Sequence, residues 1–149
     1  MAPKVGQNAP DFLAKNQHGE NITLSYFRGQ KVILYFYPKN FTPGCTAQAC
    51  NLRDNYEILL AKGYVVLGIS TDSEKRHQNF IAKHELPFSL ISDPEHQIHD
   101  LYGTWRLKKF MGKEFMSTMR TTFIIDEEGE ISNVIEKVIT KDHTAQIIG

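Results

Sequence analysis

The chain has 149 residues and equal numbers of basic and acidic side chains, 17 of each, so its formal net charge at pH 7 is zero. A neutral chain offers no field that would attract nucleic acid or an anionic membrane, and we exclude both classes of partner. The length predicts a single domain over residues 1–149, because a chain of this size can bury about 70% of its unfolded surface.

The N-terminal residues lack the charged segment and apolar core of a secretory signal, and no stretch approaches the roughly 18 apolar residues of a membrane span. We therefore expect a cytoplasmic protein. In that reducing compartment Cys45 and Cys50, the two cysteines of the chain, indicate redox catalysis or metal binding rather than a permanent disulfide. The six scattered histidines are expected at the solvated surface.

The first half of the chain predicts a strand, a helix and a second strand. Residues 31–37 and 64–70 are apolar runs typical of strands buried on both faces. Between them, apolar residues recur at helical spacing over 45–62, and Gly63 provides a stop. This order is a βαβ unit, so the two strands should be parallel.

The second half predicts shorter elements. Helices are expected at 73–84 and 95–102, with a short strand at 88–91 between them. Two β-rich runs, 120–126 and 130–138, should then form an antiparallel hairpin. A last helix begins near residue 142 but is too short to be stable alone. We expect that it docks on the sheet or that the natural chain continues beyond Gly149.

The residues around Cys45 point to thiol chemistry. Cys45 lies at a predicted helix N-terminus, where the unpaired N–H groups of the first turn favour the reactive thiolate. Thr42 could place its hydroxyl near the sulfur, Pro38 closes the preceding strand, and the turn at 43–44 lets the backbone approach closely. Such a pocket would suit a small substrate with two oxygen atoms.

The spacing of Cys45 and Cys50 restricts how the sulfurs could bond. Five residues along an ideal α-helix separate the Cα atoms by about 8.6 Å. A disulfide needs Cα atoms within about 7 Å of each other. If both cysteines lie in one helix, that helix must distort or unwind before they can form a disulfide.

Residues 35–54, YFYPKNFTPGCTAQACNLRD, resemble the active-site segment of the peroxiredoxins, and more narrowly that of the bacterioferritin comigratory protein (peroxiredoxin Q) subfamily. The resemblance extends over nearly the whole chain, through the segments LGISTD (67–72), LISD (90–93), FMGK (110–113) and RTTFIID (120–126). It implies an α/β class with a thioredoxin-like fold, in which helices flank a central mixed β-sheet. The implied activity is thiol-dependent reduction of hydrogen peroxide and organic hydroperoxides.

The resemblance also assigns roles to individual residues. Cys45 matches the peroxidatic cysteine, Thr42 and Pro38 match the signature around it, and Arg120 matches the arginine that completes the pocket. Cys50 matches a resolving cysteine, which implies an intramolecular disulfide with Cys45 that thioredoxin or a similar dithiol reductant reopens. No cofactor and no metal are implied. Because the disulfide needs no partner subunit, a monomer is expected.

Two other functions remain open. The cysteine pair and the histidines 96 and 99 could form a zinc module, although the cysteines are loosely spaced and the histidines are tightly spaced for zinc ligands. Alternatively, the same thiol could serve a redox-sensing switch or a chaperone-like binding protein. We assign no role to His84. The aromatic residues expected in the core or in the pocket wall are Tyr35, Tyr37, Phe41, Trp105 and Phe110.

Overall fold

One interior strand of the sheet contributes to two apolar cores. In the computed structural model, which describes residues 2–149, β3 spans Lys31–Phe36. Its even-numbered residues enter one core and the odd-numbered residues from 33 onwards enter the other, because successive side chains of a strand point to opposite faces. The continuous apolar run therefore corresponds to a strand that is covered on both faces.

The remaining strands are β1 Leu13–Asn16, β2 Asn21–Thr23, β4 Tyr64–Ser70, β5 Ser89–Ser92, β6 Trp105–Phe110, β7 Lys113–Thr118, β8 Thr121–Ile125 and β9 Ile131–Ile135. Within residues 2–149 these strands and β3 form a seven-stranded mixed sheet in the order β2-β1-β5-β4-β3-β8-β9 and a separate two-stranded hairpin, β6-β7. The α-helices are α1 Pro43–Asp54, α2 Tyr56–Ala61, α3 Glu74–His84, α4 Gln97–Tyr102 and α5 His143–Ile148, and short 3-10 turns cover Leu24–Phe27 and Thr140–Asp142.

The predicted βαβ unit is present, with β3 and β4 parallel, but its helix differs from the prediction. The expected single helix over 45–62 starts two residues earlier, at Pro43, and is divided into α1 and α2 at Asn55. At the break the Asn55 side chain donates to the carbonyl of Asn51 at 2.8 Å, which satisfies a main-chain acceptor near the end of α1. Gly63, with φ +85°, follows α2 as expected.

The helices cover different faces of the sheet. Residues of α1, α2 and α3 pack against the odd-numbered side chains of β3, and Cys45 belongs to this core. Ile98 and Tyr102 of α4 pack on the opposite face. Within residues 2–149, no helix combines the length and apolar character that a membrane crossing requires.

The last helix packs against the rest of the protein, which was one of the two expectations for this segment. β8 and β9 pair antiparallel, as predicted. Helix α5 then contacts α1, where the Thr144 N–H donates to Asn51 Oδ1 at 2.8 Å. His143 Nε2 lies 2.8 Å from Thr122 Oγ1 of β8, so α5 is held to the sheet as well as to α1.

The surface expectation for the histidines is wrong at His77, His99 and His143, all of which are fully buried. Each makes specific hydrogen bonds, which the sequence pattern does not reveal. His99, for example, places Nδ1 2.6 Å from Asp93 Oδ2 and Nε2 2.8 Å from Thr118 Oγ1. The burial of these rings is possible because their polar atoms have partners inside the protein.

Candidate active site

Cys45 is the third residue of α1 and is 2% exposed. The helix begins at Pro43, and the Thr42 side chain at the N-cap makes no capping hydrogen bond. The N–H groups of the first turn, including that of Cys45, therefore have no partner within the helix. Their partial positive charge favours an anion at this position, whether that anion is the thiolate or a developing oxyanion.

Arg120 reaches the same sulfur from the residue before β8. Its Nη2 donates to Cys45 Sγ at 3.3 Å, and its Nη1 donates to Gln48 Oε1 at 2.7 Å. Gly44 leaves room for this approach, because a Cβ at that position would lie 3.2 Å from Nη2. A cation fixed by two contacts thus lies beside the thiol, and Gln48 is a site residue that the sequence analysis missed.

Thr42 lies beside the site, but its hydroxyl is bonded to the main chain and not to the sulfur near which the sequence analysis placed it. Its hydroxyl donates to the carbonyl of Lys39 at 2.8 Å, and among residues 2–149 it makes no hydrogen bond to Cys45. With its proton used in this way, Thr42 Oγ1 presents acceptor lone pairs. Pro38 is half-buried two residues after the end of β3, where it begins the loop that leads to Thr42.

A buried polar network holds this loop in place. Tyr37 donates its hydroxyl to Asn40 Oδ1 at 2.7 Å, and the Asn40 amide Nδ2 lies 2.9 Å from His77 Nδ1. His77 Nε2 lies 3.0 Å from the carbonyl of Ile91, so Nε2 carries the proton and donates, and Nδ1 accepts. The Asn40 N–H is bonded to Asp72 Oδ2 at 2.8 Å. Burial lowers the pKa of His77 to about 4, which keeps the ring neutral.

Phe41 adopts a left-handed backbone conformation immediately before Thr42, with φ +69°. Such a conformation costs a non-glycine residue about 1–3 kcal/mol and persists where the surroundings enforce it. Its ring packs edge-on against Phe80 with centroids 5.1 Å apart, yet the residue is 39% exposed. Phe110, expected in the core or the pocket wall, is 60% exposed on the β6-β7 hairpin.

Cys50 lies on α1 as a free, half-buried thiol, and Cys45 is free as well. Both cysteines therefore share one helix, which must unwind before they can form a disulfide. Cys50 Sγ lies 3.8 Å from Nδ1 of His84 at the end of α3.

Tyr35 belongs to the same core as Cys45, and within residues 2–149 its buried hydroxyl has no partner. Burial first, and then the charge of Cys45, raise the pKa of Tyr35, so it remains a donor.

The part of the chain that the structure describes contains no set of ligands for the alternative zinc site. Among residues 2–149, no group of three or more His, Cys, Asp or Glu side chains could hold a metal ion. His96 instead stacks on Trp105 with ring centroids 3.8 Å apart. Both ring nitrogens of His99 are bonded to protein atoms.

Comparison with known proteins identifies relatives along nearly the whole chain. Residues 5–134 match the model of the AhpC/TSA family. Peroxiredoxin Bcp of Bacillus subtilis is 45% identical over 148 residues, covering 99% of this chain and 94% of the relative. Peroxiredoxin Bcp of Escherichia coli K12 is 46% identical over 140 residues, covering 94% and 90%.

A solved structure shows the same fold. The bacterioferritin comigratory protein of Xanthomonas campestris, from a study of its alkyl peroxide reduction activity, superimposes with a TM-score of 0.89 at 28% identity. The superposition covers 97% of this chain and 94% of that protein. The predicted thioredoxin-like fold with a mixed central sheet is thereby confirmed.

Proposed function

Because the chain belongs to the AhpC/TSA family, and within it to the Bcp and peroxiredoxin Q type of peroxiredoxin, we propose that Cys45 reduces hydrogen peroxide and organic hydroperoxides. The enzyme class, a thiol peroxidase and hence an oxidoreductase, follows from the family. The observation that supports Cys45 as the reacting residue is the 3.3 Å contact between Arg120 Nη2 and Cys45 Sγ at the start of α1.

In the first step the Cys45 thiolate attacks one oxygen of the peroxide. The S–O bond forms as the O–O bond breaks, the sulfur is oxidised to a sulfenic acid, and the other oxygen leaves as water or an alcohol after gaining a proton. Negative charge develops on the leaving oxygen. The Arg120 guanidinium and the N–H of Cys45 can donate to it, and one such preorganised donor typically contributes about 3–4 kcal/mol.

Thr42 has a complementary part in this step. Its hydroxyl proton is bonded to the Lys39 carbonyl, so Oγ1 is free to accept the hydrogen bond of the peroxide O–H. Donors at Arg120 and an acceptor at Thr42 would orient the two peroxide oxygens differently. The attacked oxygen is then distinguished from the leaving one before the reaction begins.

In the second step Cys50 condenses with the Cys45 sulfenic acid to form an intramolecular disulfide and water. The Cα separation of about 8.6 Å in a regular helix must fall below about 7 Å, so α1 has to unwind around the two cysteines. Thioredoxin or a similar dithiol then reduces the bond by thiol–disulfide exchange. The resemblance of Cys50 to the resolving cysteine of the family and the presence of both thiols on α1 support this pairing.

The remaining assignments are proposals of the same kind. An intramolecular disulfide needs no second subunit, which supports a monomer. A cysteine pair that serves catalysis rather than a permanent disulfide supports a reducing, cytoplasmic location. The alkyl peroxide reduction activity in the description of the X. campestris relative supports organic hydroperoxides as substrates here.

Steady-state assay of peroxide consumption with thioredoxin and its reductase tests the proposal. Wild type should turn over hydrogen peroxide and an organic hydroperoxide, and Cys45→Ser should show no activity above the uncatalysed rate. If wild type is oxidised once but does not turn over, the thiol serves a redox-sensing switch or a chaperone-like binding function instead. Activity that survives in Cys45→Ser would contradict the assignment of the nucleophile.

A further inference from the structure

Cys50 and His84 connect α1 to the C-terminal end of α3. Cys50 Sγ and His84 Nδ1 are 3.8 Å apart, within reach of an S–H···N hydrogen bond. Peroxide reduction at Cys45 makes no use of this contact. It joins the thiol proposed to react in the second step to a side chain that can accept a proton.

His84 is held in place through both its main chain and its ring. Its carbonyl accepts a hydrogen bond from Arg53 Nη1 at 2.8 Å. Helix α1 therefore contacts the end of α3 at a second point, about one turn beyond Cys50. The ring packs edge-on against Phe80, with centroids 5.1 Å apart and planes at 70°. These contacts direct Nδ1 toward the Cys50 sulfur.

Partial burial and two nearby cations keep the His84 ring neutral near pH 7. Partial burial is the largest cause that lowers the pKa of His84, followed by the cations of Lys83 on its own helix and Arg53 on α1. Arg53 is itself paired with Asp54 at 2.9 Å and also feels the charge of Glu85. A neutral imidazole with its proton on Nε2 leaves the Nδ1 lone pair free to accept a proton.

We propose that His84 is the proton acceptor for the Cys50 thiol in the resolving step. The inference rests on the proposed function, because it requires the Cys45 sulfenic acid. Cys50 Sγ gives its proton to His84 Nδ1 while α1 is still folded, and the resulting thiolate moves toward Cys45 as the helix unwinds. The S–S bond forms, the S–O bond of the sulfenic acid breaks, and the departing hydroxide gains a proton to become water. The Cys50 sulfur is oxidised and the Cys45 sulfur is reduced.

A single-turnover experiment on the full chain with His84→Asn tests this role. Asparagine keeps a polar acceptor near the position of Nδ1 but cannot take up the proton. After one equivalent of hydrogen peroxide, samples quenched over time are treated with a sulfenic-acid trap, and intact mass separates reduced, sulfenic and disulfide forms. His18→Asn is the matched control, since His18 is exposed and distant in sequence from both cysteines.

His84→Asn should form the sulfenic acid at the wild-type rate but convert it to disulfide at least tenfold more slowly, because a general base typically contributes about 100-fold or more. His18→Asn should match wild type in both steps. Equal rates of disulfide formation in wild type and His84→Asn would overturn the proposal. If peroxide converts wild type to neither sulfenic acid nor disulfide, the proposed function itself fails.

The pH profile of wild type provides a readout that needs no variant. Disulfide formation from preformed sulfenic acid should slow in acid, with a midpoint below the ordinary histidine value of 6.5, because the pKa of His84 is lowered and protonated His84 can no longer accept a proton. His84→Asn should lack this acid limb. Two results would contradict the role of His84, even where the variant is less stable. One is a wild-type rate of disulfide formation that does not fall in acid, and the other is the same fall in wild type and His84→Asn.

Discussion

Arg120 Nη2 lies 3.3 Å from Cys45 Sγ, although the two residues are 75 positions apart in the chain. The pairing of β3 with β8 brings them together, because Arg120 immediately precedes β8 and Cys45 begins the helix that follows β3. The central sheet therefore fixes a cation beside the thiol at the start of α1. Gly44 contributes by leaving the space that the guanidinium occupies.

Arg120→Met should slow the oxidation of Cys45 by on the order of 100-fold, since it removes a donor to the developing charge. Arg106→Met serves as the control, because Arg106 is an exposed residue on β6. Stopped-flow or quenched single-turnover kinetics with hydrogen peroxide would measure both variants. Similar oxidation rates in Arg120→Met and wild type would show that the contact has no catalytic consequence.

Gln48→Leu should slow the same step by about tenfold, because Arg120 Nη1 loses the acceptor that orients it. The loss of thermal stability should be small, since the buried Gln48 Nε2 has no partner within residues 2–149. Gln48→Glu should retain most of the rate, because a carboxylate can also accept from the guanidinium. Gln97→Leu, at an exposed position of α4, is the control. A wild-type rate in Gln48→Leu would refute this positioning role.

The free energy of unfolding should fall as the pH is lowered from 6.5 toward 4. Burial lowers the pKa of His77 from 6.5 to about 4, so in this window the unfolded chain binds a proton that the folded protein does not. His77 alone should contribute a loss of roughly 3 kcal/mol. The pKa of His143 is also lowered by burial and adds in the same direction.

Urea denaturation of wild type at several pH values would measure this loss, with His77→Gln as the comparison and His18→Asn as the control. The slope against pH should become shallower in His77→Gln but not vanish, because His143 still titrates. An unchanged slope in His77→Gln would mean that His77 is not the titrating group.

Oxidation should expose the backbone of α1 and also loosen α5. Unwinding around Cys50 disturbs Asn51, whose side chain accepts from the Thr144 N–H and donates to the carbonyl of Lys141. Hydrogen exchange should therefore speed up in the disulfide form at residues 46–56 and at the Thr144 amide, with β4 as the internal control. Equal protection of 46–56 in both redox states would rule out unwinding.

Residues with a strong local pattern could be predicted from the sequence. The apolar runs identified β3 and β4, and the helix expected at 73–84 is present as α3, where Ser73 accepts from the Arg76 N–H at 3.2 Å. The hairpin β6-β7 was missed because its side chains are largely exposed on both faces, which removes the alternation that marks a half-buried strand.

The chemistry of the site was only partly predictable. The motif indicated Cys45 and Thr42, and the family resemblance indicated Arg120. Gln48 and His77 gave no signal of their own, because their roles depend on contacts with residues distant in the chain. The same limit applied to His84, which contacts Cys50 across 34 positions and which the sequence analysis left without a role.

Intact-mass analysis and peptide mapping after one equivalent of hydrogen peroxide test the central claim most directly. Wild type should lose two hydrogens, remain a single chain and give a disulfide-linked peptide pair containing Cys45 and Cys50. In parallel, Cys50→Ser should be oxidised at nearly the wild-type rate and accumulate sulfenic or sulfinic acid, and Cys45→Ser should remain unoxidised. A stable disulfide between two wild-type chains, or equal loss of the first oxidation in both variants, would contradict the account.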